Sequence, residues 1–126
     1  MQRVESLLPL GGVEDRFMAF YKDKFGFFKI RTLAVSDGAQ HDILNGTYSI
    51  KAAVDVPEYK SFIKVEDAAP YKIYIMDYGL YTKFDLTIPG VTSASYAIIK
   101  YLPLNTDIAI LTDDPTTNFH IYSLLT

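Results

Sequence analysis

From Thr47 to Leu125 the chain is a succession of short segments in which apolar and polar side chains alternate. In 47–56, one parity carries Tyr48, Ile50, Ala52, Val54 and Val56, and the other carries Thr47, Ser49, Lys51, Ala53 and Asp55. Successive side chains of a strand point to opposite faces, so a period of two predicts a sheet with one wet side. Further strands are predicted over 59–65, 71–78, 80–88, 95–102, 108–112 and 119–125, separated by turn formers such as Pro57, Pro89-Gly90 and Asp113-Asp114-Pro115. The connections are shorter than the dozen or so residues a parallel crossover needs, so the strands pair antiparallel.

The N-terminal third has a different pattern. Residues 1–12 read as an extended arm ending at Gly11-Gly12. A helix is predicted over 13–25, where Val13, Phe17, Phe20, Tyr21 and Phe25 share one stripe at helical spacing. Glu14 and Asp15 in its first turn, Lys22 and Lys24 in its last, and Gly26 as a stop match the helix dipole and its ending. The period returns to two over 27–35 and 39–44, and Asn45-Gly46 is a hairpin signal. The expected fold is therefore one domain, 1–126: an arm, one amphipathic helix, and a mainly β body over 27–126. About eight short antiparallel strands would form a barrel or a two-sheet sandwich, either of which protects sheet edges.

Composition narrows the function classes. The chain has 126 residues, no cysteine and a net charge of -3, with lysines and arginines scattered singly. Nothing resembles the basic footprint of a nucleic-acid binder. No run approaches the roughly 18–20 apolar residues of a membrane-spanning helix, and the N-terminus has no export-signal pattern. The expected location is the cytoplasm or an assembled particle.

Motifs for chemistry are sparse. His41 stands near Asp37 and Asp42, but a metal site wants three or four ligands, and an Asp-Gly turn before a polar strand accounts for the same residues. His120, between Phe119 and Ile121, is expected on the parity facing solvent or a polar pocket. Glu66-Asp67 and Asp113-Asp114 are turn residues, not carboxylates facing each other across a substrate. No phosphate-binding glycine loop and no nucleophile elbow is present, so no catalytic residue, cofactor or metal is assigned and no enzymatic activity is expected.

Ten tyrosines and eight phenylalanines, with no tryptophan, are the remaining anomaly. Tyr74 and Tyr78 share a strand parity with Lys72, and Tyr81 stands beside Lys83 and Asp85. Tyrosine offers rigid contact area with a polar tip, which suits protein interfaces. The leading expectation is a non-enzymatic structural or interaction subunit of a larger assembly, for example a viral or phage particle component, with other protein subunits as partners. Its contact candidates are Leu7, Leu8 and Leu10 of the arm, Phe17 of the predicted helix, and Tyr74, Tyr78 and Tyr81.

The segment 71–78, with Asp77-Tyr78 followed by Leu80-Tyr81, resembles the Asp-Tyr strand of lipocalins, and 107–115 is similar to their late barrel strand. That resemblance implies the alternative: an eight-stranded barrel carrying a small apolar ligand, lined by Tyr48, Ile50, Ile73, Ile75, Phe84 and Leu86. The family's Gly-x-Trp has only Gly26-Phe27-Phe28 as its nearest counterpart here.

Overall fold

Turn residues cut this chain into strands of five to seven residues that can pair only with their sequence neighbours, and the structure is a series of such meanders. It is a computed structural model that describes residues 3–45, 50–66, 71–87, 98–102, 107–111 and 119–123. The first sheet is β1 (Arg3–Pro9), β2 (Arg16–Lys22), β3 (Phe28–Ala34) and β4 (Gln40–Asn45), in that order. The middle sheet is β5 (Ile50–Val56), β6 (Ser61–Glu66), β7 (Ile73–Asp77) and β8 (Thr82–Leu86). The third is β9 (Ile98–Leu102), β10 (Asp107–Leu111) and β11 (Phe119–Ser123). All pairings are antiparallel, as the short connections require.

The predicted helix over 13–25 is absent. Arg16–Lys22 is instead the second strand of the first sheet, and β1, in the segment expected to be an arm, pairs along it with Leu7 opposite Ala19 and Leu8 opposite Met18. The helical stripe was ambiguous because Phe17-Met18-Ala19-Phe20-Tyr21 is a continuous apolar run, which a strand buried on both faces produces equally well. Met18 and Phe20 point toward the middle sheet, and Ala19 and Tyr21 point the other way, all four buried. Gly26 is a hairpin residue at φ +87°, where its lack of Cβ matters, and not a helix stop. The Asp23 side chain shapes that turn by accepting the N–H groups of Phe27 and Phe25, and these bonds hold its carboxyl below the usual range. Asp15, placed in the predicted first helical turn, sits at φ +59° and accepts the hydroxyl and N–H of Ser36 beyond β3.

Among the described residues no closed barrel forms, and the sheets pack face to face in three layers, one more than the expected sandwich. Between the first and middle sheets lie Leu10, Met18, Phe20 and Ile30 against Phe62, Met76 and Leu80. Between the middle and third lie Val56, Ile63, Val65, Ile73 and Ile75 against Ile108 and Tyr101. The middle sheet is thus covered on both faces, which corrects the expectation of a wet side. The parity holding Tyr74, Met76 and Tyr78 faces the first sheet. Ile73, Ile75 and Leu86, expected to line a carrier's cavity, are packed in the other core.

Backbones of different sheets approach chiefly at their first strands, β1 against β5 and β5 against β9, while side chains hold the later strands apart. The sheets therefore fan outward from their first strands. Four-stranded meanders arranged radially in this way are the blades of a β-propeller. Among the described residues the fan has three sheets, and no described sheet packs on the outer face of the first or of the third, although Ala19, Tyr21 and Leu33 are enclosed on the first.

Candidate functional site

A cleft of about 310 Å³ opens where the β1–β2 connection of the first sheet rests against the middle one. Leu10, Val13, Glu14 and Arg16 line one side, Tyr78 and Gly79 the other, with Thr32 and His41 completing the wall. A three-point clamp fixes its floor. The Tyr78 hydroxyl donates to Asp55 Oδ1 at 2.5 Å and accepts the Gly12 N–H at 3.1 Å. The other carboxylate oxygen of Asp55 accepts the Gly11 N–H at 2.8 Å. Burial and the Asp55 carboxylate push the Tyr78 phenol far above its ordinary value, so it acts as a donor at any physiological pH.

This clamp is a positioning device. Tyr78 and Asp55 hold the loop through these bonds, and the remaining lining, Glu14, Arg16, Thr32 and His41 among it, offers hydrogen bonds to a polar group. Among the described residues no group of three or more His, Asp or Glu is placed to hold a metal ion. His41 is exposed on the cleft wall. Asp67 and the Asp113-Asp114 pair lie outside the described residues, as do Tyr48 and the Gly46 of the predicted hairpin.

Two substitutions measure the clamp. Tyr78→Phe leaves the Asp55 oxygen and the Gly12 N–H without their partner, and a loss of about 1–3 kcal/mol is expected in chemical denaturation. Gly12→Ala would put a Cβ 2.5 Å from the Pro57 carbonyl oxygen, a backbone atom that cannot swing aside. It should cost about as much, through overpacking.

The residues expected to make contacts are dispersed. Leu10 is buried and Leu8 half-buried in the core between the first two sheets, and Tyr74 packs there beneath the Lys64 ammonium, which lies 4.9 Å from its ring centre. Tyr78 belongs to the clamp, and Tyr81 is exposed in the β7–β8 turn, its N–H bonded to Asp77. Leu7 and Phe17 stand together on the uncovered face of the first sheet, Leu7 58% exposed and Phe17 packed beside Ala19, Tyr21 and Leu33.

That face also holds Ile43, 44% exposed, and Val4. On the uncovered face of the third sheet stand Phe119 and Ile121, 58% and 53% exposed, with Ala109 opposite Ile121. Here the expected parity is reversed. His120 is half-buried while its apolar neighbours face outward, because the Tyr101 and Ile108 face is the one the middle sheet covers. Ile43, Phe119 and Ile121 were missed by sequence reasoning, although β9 to β11 carry apolar residues on both parities, a signal that both faces are meant to be covered.

No family model matches the sequence, and no curated protein matches it. Among solved structures, a chain in the crystal structure of the mitotic checkpoint complex is similar over 96% of this chain, with a TM-score of 0.75 at 14% identity. The likeness is one of fold. This chain spans 37% of the length of that one. Among the described residues no helix is long and apolar enough to cross a membrane.

Proposed function

We propose that this chain is a non-enzymatic interaction subunit of a larger protein assembly, working through the flat faces of its outer sheets. The observation that carries the reading is the contrast between the middle sheet, covered on both faces, and its two neighbours, which turn Leu7, Ile43, Phe119 and Ile121 to the outside. Apolar side chains gathered on one flat face mark a contact surface more often than scattered ones do. The similar solved chain belongs to a multi-protein complex, which supports protein partners for this fold. Structural roles such as a component of a particle fall within the same reading.

Native mass spectrometry of the protein isolated from its source tests it. An oligomer or a heteromeric complex is the expected result. A monomer carrying a stoichiometric small molecule would overturn it.

A further inference from the structure

Beside the β2–β3 hairpin, the outer face of the first sheet holds a second cleft, of about 200 Å³, lined by Tyr21 of β2 and Arg31 of β3. Strand register explains how these two meet. Arg31 stands opposite Ala19 on one side and Ile43 on the other, and residues directly opposite share a face. The small Ala19 leaves space across the strands, and the guanidinium lies over the neighbouring Tyr21 ring, 5.2 Å from its centre.

Two donors at this place are unused. Tyr21 is 2% exposed, and its hydroxyl and the Arg31 Nε are enclosed without a hydrogen-bond partner among the described residues. A buried donor left unpaired destabilises a fold unless an acceptor arrives from elsewhere. The charge of the cleft indicates which acceptor. Lys24, Lys29 and Arg31 line it against one carboxylate, Asp23, in a chain whose net charge is -3. Asp23 is already engaged, with Oδ2 3.8 Å from the Lys29 ammonium and Oδ1 accepting the Phe25 and Phe27 N–H groups. Among the described residues, neither Lys24 nor Arg31 has a carboxylate within ion-pairing distance.

The rim favours a protein side chain over a free ion. Phe25, 72% exposed, and Ile43 flank the cleft, apolar area that a peptide covers and an inorganic anion does not. Asp23 also opposes a doubly charged phosphate more strongly than a singly charged carboxylate. We propose that this cleft receives an aspartate or glutamate side chain, flanked by an apolar residue, from a segment of a partner protein. The carboxylate accepts from the Arg31 Nε and the Tyr21 hydroxyl, with Lys24 as a further positive charge, and its apolar neighbour packs on Phe25 and Ile43. Arg31 is half-buried, so its side chain can turn to present Nε to the incoming group. This inference deepens the interaction reading by naming the chemistry of one contact, and it rests on that reading.

Nuclear magnetic resonance of the purified full chain tests it, because the Arg31 Nε–H gives a signal of its own. The probes are a blocked peptide of alternating glutamate and leucine, the same peptide with glutamine in place of glutamate, and sodium phosphate. At matched ionic strength the glutamate peptide should shift the Arg31 Nε–H, and the other two should leave it in place. Tyr21→Phe should weaken binding of the glutamate peptide about tenfold or more, the scale of a hydrogen bond to a charged group. The lost hydroxyl has no partner in the free protein, so the same variant should be at least as stable as the parent in urea. Arg31→Lys keeps the charge without the planar fork and should weaken binding as well. Equal binding of the two peptides, tighter binding of phosphate, or an Arg31 Nε–H signal that no probe moves would overturn the proposal. A Tyr21→Phe variant that binds as well as the parent, or is less stable, would also overturn it. If the protein is then still found in a heteromeric complex in its source, the interaction reading survives and only this cleft is excluded.

Discussion

Phe62→Ala is expected to remove about 3–5 kcal/mol of stability, the usual result of truncating a phenylalanine in a packed core. Phe62 has no exposed surface and sits on β6, in the interior of the middle sheet. Its ring meets Phe20 of the first sheet edge to face, with centroids 6.2 Å apart and planes at 64°. Leu10, Met18, Ile30, Met76 and Leu80 belong to the same cluster. Two hydrogen-bonded sheets hold these walls, so they cannot collapse into the vacated volume, and the cavity persists. A domain of this size is stable by about 5–15 kcal/mol in total, so this one change removes a large part of the margin. Phe84 is the control. It is also a strand phenylalanine in the middle sheet, but on the edge strand β8 and 39% exposed, so Phe84→Ala should cost far less. Urea denaturation separates the two, provided the slope with denaturant is unchanged.

The second large effect concerns Lys64 and Glu66. Lys64 is 6% exposed because both faces of its sheet are covered, and its ammonium lies 3.8 Å from the Glu66 carboxylate, which is itself nearly enclosed. Removing one partner strands the other, so Glu66→Gln alone should destabilise by about 3–5 kcal/mol. Replacing both, as Lys64→Met with Glu66→Gln, should be neutral or stabilising by about 1–4 kcal/mol, since neither charge then has to be dehydrated.

The pair also has a pH signature. Burial pulls the Lys64 ammonium below its ordinary value, and the opposing pull of Glu66 is the smaller effect. The native state therefore sheds this proton at a lower pH than the unfolded chain does. Between the native value and the unfolded one, about 10.4, the unfolded state binds more protons and stability rises with pH. That rise should be missing in the double variant. Tyr78 acts with the opposite sign. Its native value is raised, so its contribution is complete below the unfolded tyrosine value of about 10 and is lost as pH climbs through the native one. Because Tyr78 is present in both proteins, the difference between their stability curves isolates Lys64.

Strands were legible wherever one parity was polar. The segment 28–34, with Lys29, Arg31 and Leu33 against Ile30 and Thr32, is β3 within a residue of the expected ends. β2 was not legible, because a strand buried on both faces has no polar parity to set its period and its apolar run imitated a helical stripe. The layering was hidden for a related reason. Alternation fixes which side chains share a face but not what that face meets, so Tyr74 and Tyr78 read as solvent-facing although they belong between two sheets. The clamp joins Asp55 to Tyr78 and both to the Gly11-Gly12 turn, residues separated by up to 66 positions that become neighbours only when two sheets stack. No local pattern records such a meeting. Of the sequence candidates for contact, Leu7 and Phe17 do stand on an uncovered face, while the apolar residues of the third sheet were read with their parity reversed.

The proposed interaction role places the contacts on the outer faces of the first and third sheets. Hydroxyl-radical footprinting of the protein in its native assembly, compared with the isolated chain, tests this side chain by side chain. Leu7, Ile43, Phe119 and Ile121 should lose most of their labelling in the assembly, while Tyr81, exposed in the β7–β8 turn, keeps its own. Equal labelling of those four residues in both states, with protection appearing at Tyr81 or along the cleft at His41, would contradict it.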